Sequence, residues 1–279
     1  MLGKLIKHEF RATGRLMAPL FGALLLLAVF VRVSDLILSA ADVPVFFEAL
    51  NALLLVVYVL AILGVTVFAT ILMIKRFHQN FLTDEGYLMF TLPTSVHSLL
   101  WSKLITAALF FIFTFLAEAL SVAIVVWRGG LAREMFTSFA DFFRRLDSYY
   151  MANGLAFALE TLALLFVSLL VTCLLFYAPM SIGYSFANHK GLLSVVFYFV
   201  IQAILQIFGV AVLTGAVNDT AFHRLLTDAM DNLGRIDTPV TAMQAAHGTM
   251  LLALFTELFL GAILYFLTYF MLRKHRNLQ

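Results

Sequence analysis

Hydrophobic positions in this chain run on rather than alternate. Residues 17–38, 49–74, 104–127, 155–178, 192–217 and 249–272 are almost unbroken successions of aliphatic and aromatic side chains. A hydrocarbon core about 30 Å thick takes about 20 helical residues to cross, and each run is long enough. None shows the two-residue alternation of a barrel strand, so helices are the way these backbones satisfy their hydrogen bonds in lipid. The pattern predicts an all-α integral membrane protein with six transmembrane helices, a single transmembrane domain over residues 1–279.

Between the runs the pattern changes to one-sided helical spacing. Residues 1–16 place Lys4, Lys7, Arg11 and Arg15 on one face and Leu2, Leu5, Ile6 and Phe10 on another, which predicts an N-terminal amphipathic interfacial helix. In residues 134–150, Met135, Phe136, Phe139, Phe142, Phe143, Leu146 and Tyr150 recur at helical spacing. Residues 221–233 do so more weakly, with Leu225, Leu226, Met230 and Leu233. Both predict short extracellular amphipathic helices resting on the membrane.

Composition agrees with the pattern. Hydrophobic residues make up 63% of the chain and charged residues 12%, against roughly half and a quarter in a soluble domain; the mean hydropathy is +0.99. A net charge of +2 is too small to imply nucleic acid as a partner; lipid is the surrounding the sequence asks for. The one cysteine, Cys173, lies inside a hydrophobic run and cannot form an intrachain disulfide. Ser39 and Ala41 have the spacing of a signal cleavage site, but Arg32 and Asp35 interrupt the approach to it, so the first run is expected to stay as a span.

Charge placement sets the expected orientation. With the amino terminus in the cytoplasm, the inner segments hold Lys4, Lys7, Arg11, Arg15, Lys75, Arg76, Lys103, Lys190, Arg273, Lys274 and Arg276. The outer segments hold Arg32, Arg128, Arg133, Arg144, Arg145, Arg224 and Arg235, diluted by acids. The positive-inside bias then favours a multi-pass protein of the cell membrane with both termini cytoplasmic.

Catalytic patterns are sparse. No H-E-x-x-H zinc pair and no G-x-x-x-x-G-K-[ST] phosphate loop occur, so no cofactor or metal is expected on this chain, and any ATP would bind another polypeptide. Gly183-Tyr184-Ser185-Phe186-Ala187 loosely echoes serine hydrolases and six-helix intramembrane proteases, which keeps Ser185 as the nucleophile of an alternative, enzymatic account. Its expected role is local hydrogen bonding, since no histidine lies deep in a span to act as its base. A channel or an immunity-type protein without ATP is a further alternative. Glu118, Glu160 and Glu257 lie inside spans, six to ten residues from the outer ends, or roughly 9 to 15 Å deep at 1.5 Å per residue. Carboxylates there are costly unless paired, protonated or facing water. Either they line a polar translocation cavity, or they are structural, with Arg32 at similar depth pairing with one of them. Gln202 and Gln206, four apart on one face, are expected to join helices.

The cytoplasmic stretch 75–103 interrupts the apolar pattern with FLTDEGYLMFTLPTS at residues 81–95. The second helix is expected to run on past Arg76 through Asn80. Asp84 and Glu85 suit the first turn of a new short helix, Pro93 ends it, and Thr94 or Ser95 can cap the third span. The elbow so formed carries Tyr87, Leu88, Met89, Phe90 and Leu92, too many apolar groups to face one way. Some face a partner, or the elbow folds back onto the bundle or into the headgroups.

Asp84-Glu85-Gly86-Tyr87-Leu88-Met89, then Thr91-Leu92-Pro93-Thr94-Ser95, with Lys103 shortly after, resembles the intracellular loop of ABC-2 type transporter permeases. It is most similar to the stand-alone membrane subunits of Gram-positive bacteria. The resemblance implies that the elbow is a cytoplasmic coupling helix docking on a separate ABC ATPase. Glu85, Gly86, Leu88, Leu92 and Pro93 would be the docking set, with Asp84 and Tyr87 beside them. It also implies two ATPase copies carrying ATP and Mg, a second permease chain in a homo- or heterodimer, and export of an amphipathic peptide, drug or lipid by alternating access. The long third loop departs from the family's minimal pattern.

Overall fold

The structure is a computed structural model that describes residues 2–40, 44–83, 94–127, 133–134, 137–141, 144, 154–186, 188–213 and 239–276. Regular structure among the described residues is helical throughout: α1 (Leu2–Ala40), α2 (Val45–Leu82), α3 (Val96–Val126), α4 (Gly154–Gly183), α5 (Lys190–Leu213) and α6 (Pro239–Arg276). All six are long and apolar enough to cross a membrane, and this is a multi-pass membrane protein. Large apolar side chains such as Leu26, Leu60, Phe115, Leu162, Ile207 and Phe255 point outward along these helices, a surface that hydrocarbon, not water, would cover.

The chain divides into two compact units, Met1–Glu134 and Met135–Gln279. In the first, α1 packs on α3 and α2. Leu24, Ala28 and Val31 of α1 meet Tyr58 and Val65 of α2, with Ile124 and Val125 of α3 against the same cluster. Phe10, near the start of α1, meets Phe110 and Phe113, with ring centroids 5.0 and 5.9 Å away. The two sets of contacts fix α1 and α3 as parallel, and a hydrogen bond from Asn80 near the end of α2 to Glu9 near the start of α1 makes α2 antiparallel to both. Buried Ala28, Ala69, Ala107 and Ala108 allow the backbones to approach closely, which is how helices associate where lipid supplies no hydrophobic driving force.

Several helices exceed their predicted spans. At 39 residues, α1 is about 60 Å long, with no break between the amphipathic segment and the span. Lys4, Lys7, Arg11 and Arg15 are exposed and Leu2, Leu5 and Ile6 half-buried, so the expected two faces are present. Part of the inward face packs on α3 as a continuation of the bundle, with Thr13 and Met17 fully buried. The second helix runs past Arg76 to Leu82, as the sequence predicts, and Phe77 and Phe81 are buried there as a ring pair 5.1 Å apart. Ser95 caps α3, its hydroxyl accepting the amide of Ser98 at 3.2 Å.

In the second unit α4 packs on both α5 and α6. Val171, Leu174, Tyr177, Ala178, Leu264 and Leu272 form its interior, together with Cys173. A methyl group on Gly183 would collide with the Ser194 hydroxyl and backbone amide, so α5 crosses the end of α4 at a point only glycine permits. Interior hydroxyls are satisfied along their own helices: Thr106 donates to the Ser102 carbonyl, Ser181 to Tyr177 and Thr268 to Leu264, the local solution to a polar group in hydrocarbon. Gln202 likewise bonds within α5, to the Tyr198 hydroxyl at 3.3 Å. In the third loop residues 133–134, 137–141 and 144 are helical; residues 221–233 lie outside the described residues.

Candidate functional site

The predicted docking residues Asp84, Glu85, Gly86, Tyr87, Leu88, Leu92 and Pro93 lie outside the described residues. The frame that carries them is described on both sides. Thr83 ends α2 in an extended conformation and Ser95 begins α3, so residues 84–93 are strung between the ends of two long helices. Immediately below those ends is a buried polar cluster. Lys103 of α3 places Nζ 2.5 Å from Oε1 of Glu9 on α1, and the Asn80 amide of α2 donates to the same oxygen at 3.1 Å. The Lys103 side chain is 3% exposed and that of Glu9 13%. Leu99, Leu100 and Leu104 are buried around it.

One carboxylate therefore joins all three helices of the first unit at the end where residues 84–93 are inserted. A charge pair so enclosed does little for net stability, because desolvating both ions offsets their attraction. It does fix which residues face one another, since any other register strands a charge. The sequence marks Lys103 only through the resemblance, and Glu9 and Asn80 not at all. The one signal for Glu9 was a lone acid in an otherwise basic segment.

The intramembrane acids have separate surroundings. Glu118 in the first unit accepts a hydrogen bond from Thr66 of α2 at 2.6 Å, and one turn on, the Tyr58 and Ser121 hydroxyls meet at 2.9 Å. Together they form a polar seam between α2 and α3. Arg32 pairs with Asp35 three residues along α1, at 2.9 Å, and Glu118 of the same unit is bonded to Thr66 instead. A same-helix neighbour is already within reach, whereas a partner on another helix requires the right rotation of both.

Glu160 and Glu257 belong to the second unit. Glu160 Oε2 lies 2.6 Å from Nδ1 of His247, each side chain 25% exposed, and the Phe157 ring stands edge-on to the imidazole at 5.8 Å. His247 falls before the predicted sixth span but inside α6, which begins eight residues earlier at Pro239. Proline is favoured at a first helical position and was the available signal. Oε2 of Glu257 is buried with no hydrogen-bond partner among the described residues. Ser185 donates to the Ser181 carbonyl at 2.9 Å and lies 3.7 Å from the Met271 sulfur; a back-bonded hydroxyl of this kind is not aimed at a general base. Among the described residues no three of His, Cys, Asp and Glu converge as metal ligands.

No protein-family model matches the chain, and neither a curated protein nor a solved structure matches it.

Proposed function

We propose that this chain is the membrane subunit of an ATP-driven exporter of the ABC-2 type, with residues 84–93 as the element that contacts a separate ATPase. The observation that carries the reading is the frame beneath that element. Two helices of 38 and 31 residues run from the membrane into its two ends, and Glu9, Asn80 and Lys103 tie both to α1. A push on the elbow is then delivered to three spans together, because packed helices move as rigid bodies rather than deform. Tyr87, Leu88, Met89, Phe90 and Leu92 supply anchors for a groove on the partner, and Asp84 and Glu85 complement a basic rim.

In this reading two ATPase copies bind ATP and Mg, two permease chains enclose the path, both termini are cytoplasmic, and an amphipathic substrate leaves outward. Glu118, Glu160 and Glu257 are candidate polar points along that path. The back-bonded geometry of Ser185 favours transport over hydrolysis.

The test is co-purification with a phosphate-loop ATPase encoded in a neighbouring reading frame. The expected result is a stable complex with the parent chain, lost on Glu85→Arg and on Leu88→Asp while the membrane subunit itself remains monodisperse. A complex that survives both substitutions overturns the docking assignment.

A further inference from the structure

Gln206 lies eleven residues from one end of the hydrophobic run 192–217 and fourteen from the other, about 16 and 21 Å by helical rise. Its short side chain therefore cannot reach either membrane surface. The residue is nevertheless exposed, and it makes no hydrogen bond among the described residues. Thr66 and Glu118, Tyr58 and Ser121, and Arg32 and Asp35 satisfy one another in the first unit. Gln202, one turn before Gln206, donates to the Tyr198 hydroxyl on its own helix. A primary amide held in hydrocarbon with neither water nor a partner is unfavourable, and glutamines so placed join helices to one another.

The surface around Gln206 admits a close neighbour. At 100° per residue, Val195, Phe199 and Val210 fall within about 40° of it on the helical wheel, and all three are exposed. A Cβ built on Gly209 would meet nothing within 4 Å, so a second backbone can approach α5 beside the amide. The helix carries no charge beyond Lys190 at its start, and this face asks for an apolar partner with one matching polar group. A primary amide is both donor and acceptor, so its own counterpart on a second copy supplies that match. In a two-fold contact the same patch serves both sides, and a residue beside the axis meets itself.

We infer that two copies of this chain pair through α5, with their Gln206 amides hydrogen-bonded to each other at the two-fold axis and Phe199 and Val210 packed beside them. This deepens the transport reading, on which it rests for the need of two membrane chains and which leaves open the faces that meet.

The experiment uses the full chain in its native membrane. With Cys173→Ala as the background, Gln206→Cys carries the only thiol, and copper-phenanthroline oxidation should link it into a species of twice the monomer mass. Ile204→Cys, at a position also exposed but turned about 160° away on the helix, should stay monomeric under the same oxidation. Gln206→Leu, which keeps the apolar face and removes the amide, should weaken dimerisation about tenfold, with Gln206→Asn recovering part of the loss. That shift is read by single-molecule photobleaching in liposomes over a range of protein-to-lipid ratios. Absence of a linked species at Gln206→Cys, equal linking at Ile204→Cys, or parent-like dimerisation of Gln206→Leu would overturn the inference. A stable complex with the ATPase in which Gln206→Cys does not link would remove this interface and leave the transport reading standing.

Discussion

The two units hold their most prominent carboxylate contacts in opposite ways. In the first, Lys103 and Glu9 are almost entirely enclosed, at 3% and 13% exposed, and Asn80 ties the pair to a third helix. In the second, Glu160 and His247 are each 25% exposed and join two helices. An enclosed pair cannot be broken cheaply, since the abandoned ion has neither water nor a partner. A contact at the edge of its bundle, as Glu160 and His247 are, has fewer groups packed over it and so meets less steric resistance to separating. The first arrangement suits a joint that must transmit force without slipping, and the second suits a contact that can open.

That contrast predicts a ranked set of effects on stability in detergent. The largest is Lys103→Met, which strands the Glu9 carboxylate and should cost about 3 to 5 kcal/mol. The double change Glu9→Met with Lys103→Met should recover most of it. A double variant as unstable as the single one would mean that the pair's packing matters, not its charge. Next is Gly183→Ala in the second unit, where the added methyl meets Ser194 and should cost about 1 to 3 kcal/mol by overpacking; this loss is steric and should not respond to salt. Glu160→Gln keeps a carbonyl acceptor facing His247 and should cost about 1 kcal/mol or less, about one net hydrogen bond. If it costs as much as Lys103→Met, the comparison between the units fails. The smallest effect is Tyr58→Phe, which removes the hydroxyl pair with Ser121 and should cost about 0.6 kcal/mol, the average for hydrogen bonds between membrane helices. All four are measurable from thermal or denaturant unfolding curves.

Much of the architecture was legible because hydropathy reports directly on what lipid requires. Each predicted span falls mainly on a described helix, and the Ser95 cap follows from the local rule that a side-chain oxygen must satisfy the first amides of α3. Hydropathy is silent on how far a helix continues beyond the hydrocarbon. For that reason the unbroken passage of α1 from Leu2 to Ala40 and the reach of α6 back to Pro239 came from the structure. Residues 214–217 of the fifth run lie outside the described residues.

Site residues were legible where chemistry is local and hidden where it depends on register. The placement of Glu118 and Glu160 inside spans could be read from the sequence, but their partners Thr66 and His247 could not. Whether Glu9 faces Lys103 depends on how α1 is rotated against a helix that begins more than eighty residues later. No spacing rule carries that information. Arg32 shows the converse: its nearest acid in the sequence, Asp35, was its partner.

The central claim is that residues 84–93 touch an ATPase, and the chain's thiol content offers a direct way to test it. Cys173 is the only cysteine and is buried at 2% exposure, so Leu88→Cys adds a single second thiol to a chain whose own is enclosed. With a phosphate-loop ATPase from a neighbouring reading frame co-expressed, a short thiol-to-amine cross-linker is expected to join Leu88→Cys to that ATPase and leave the parent chain unlinked. Failure of Leu88→Cys to cross-link in a membrane where both proteins are present and folded would contradict the account.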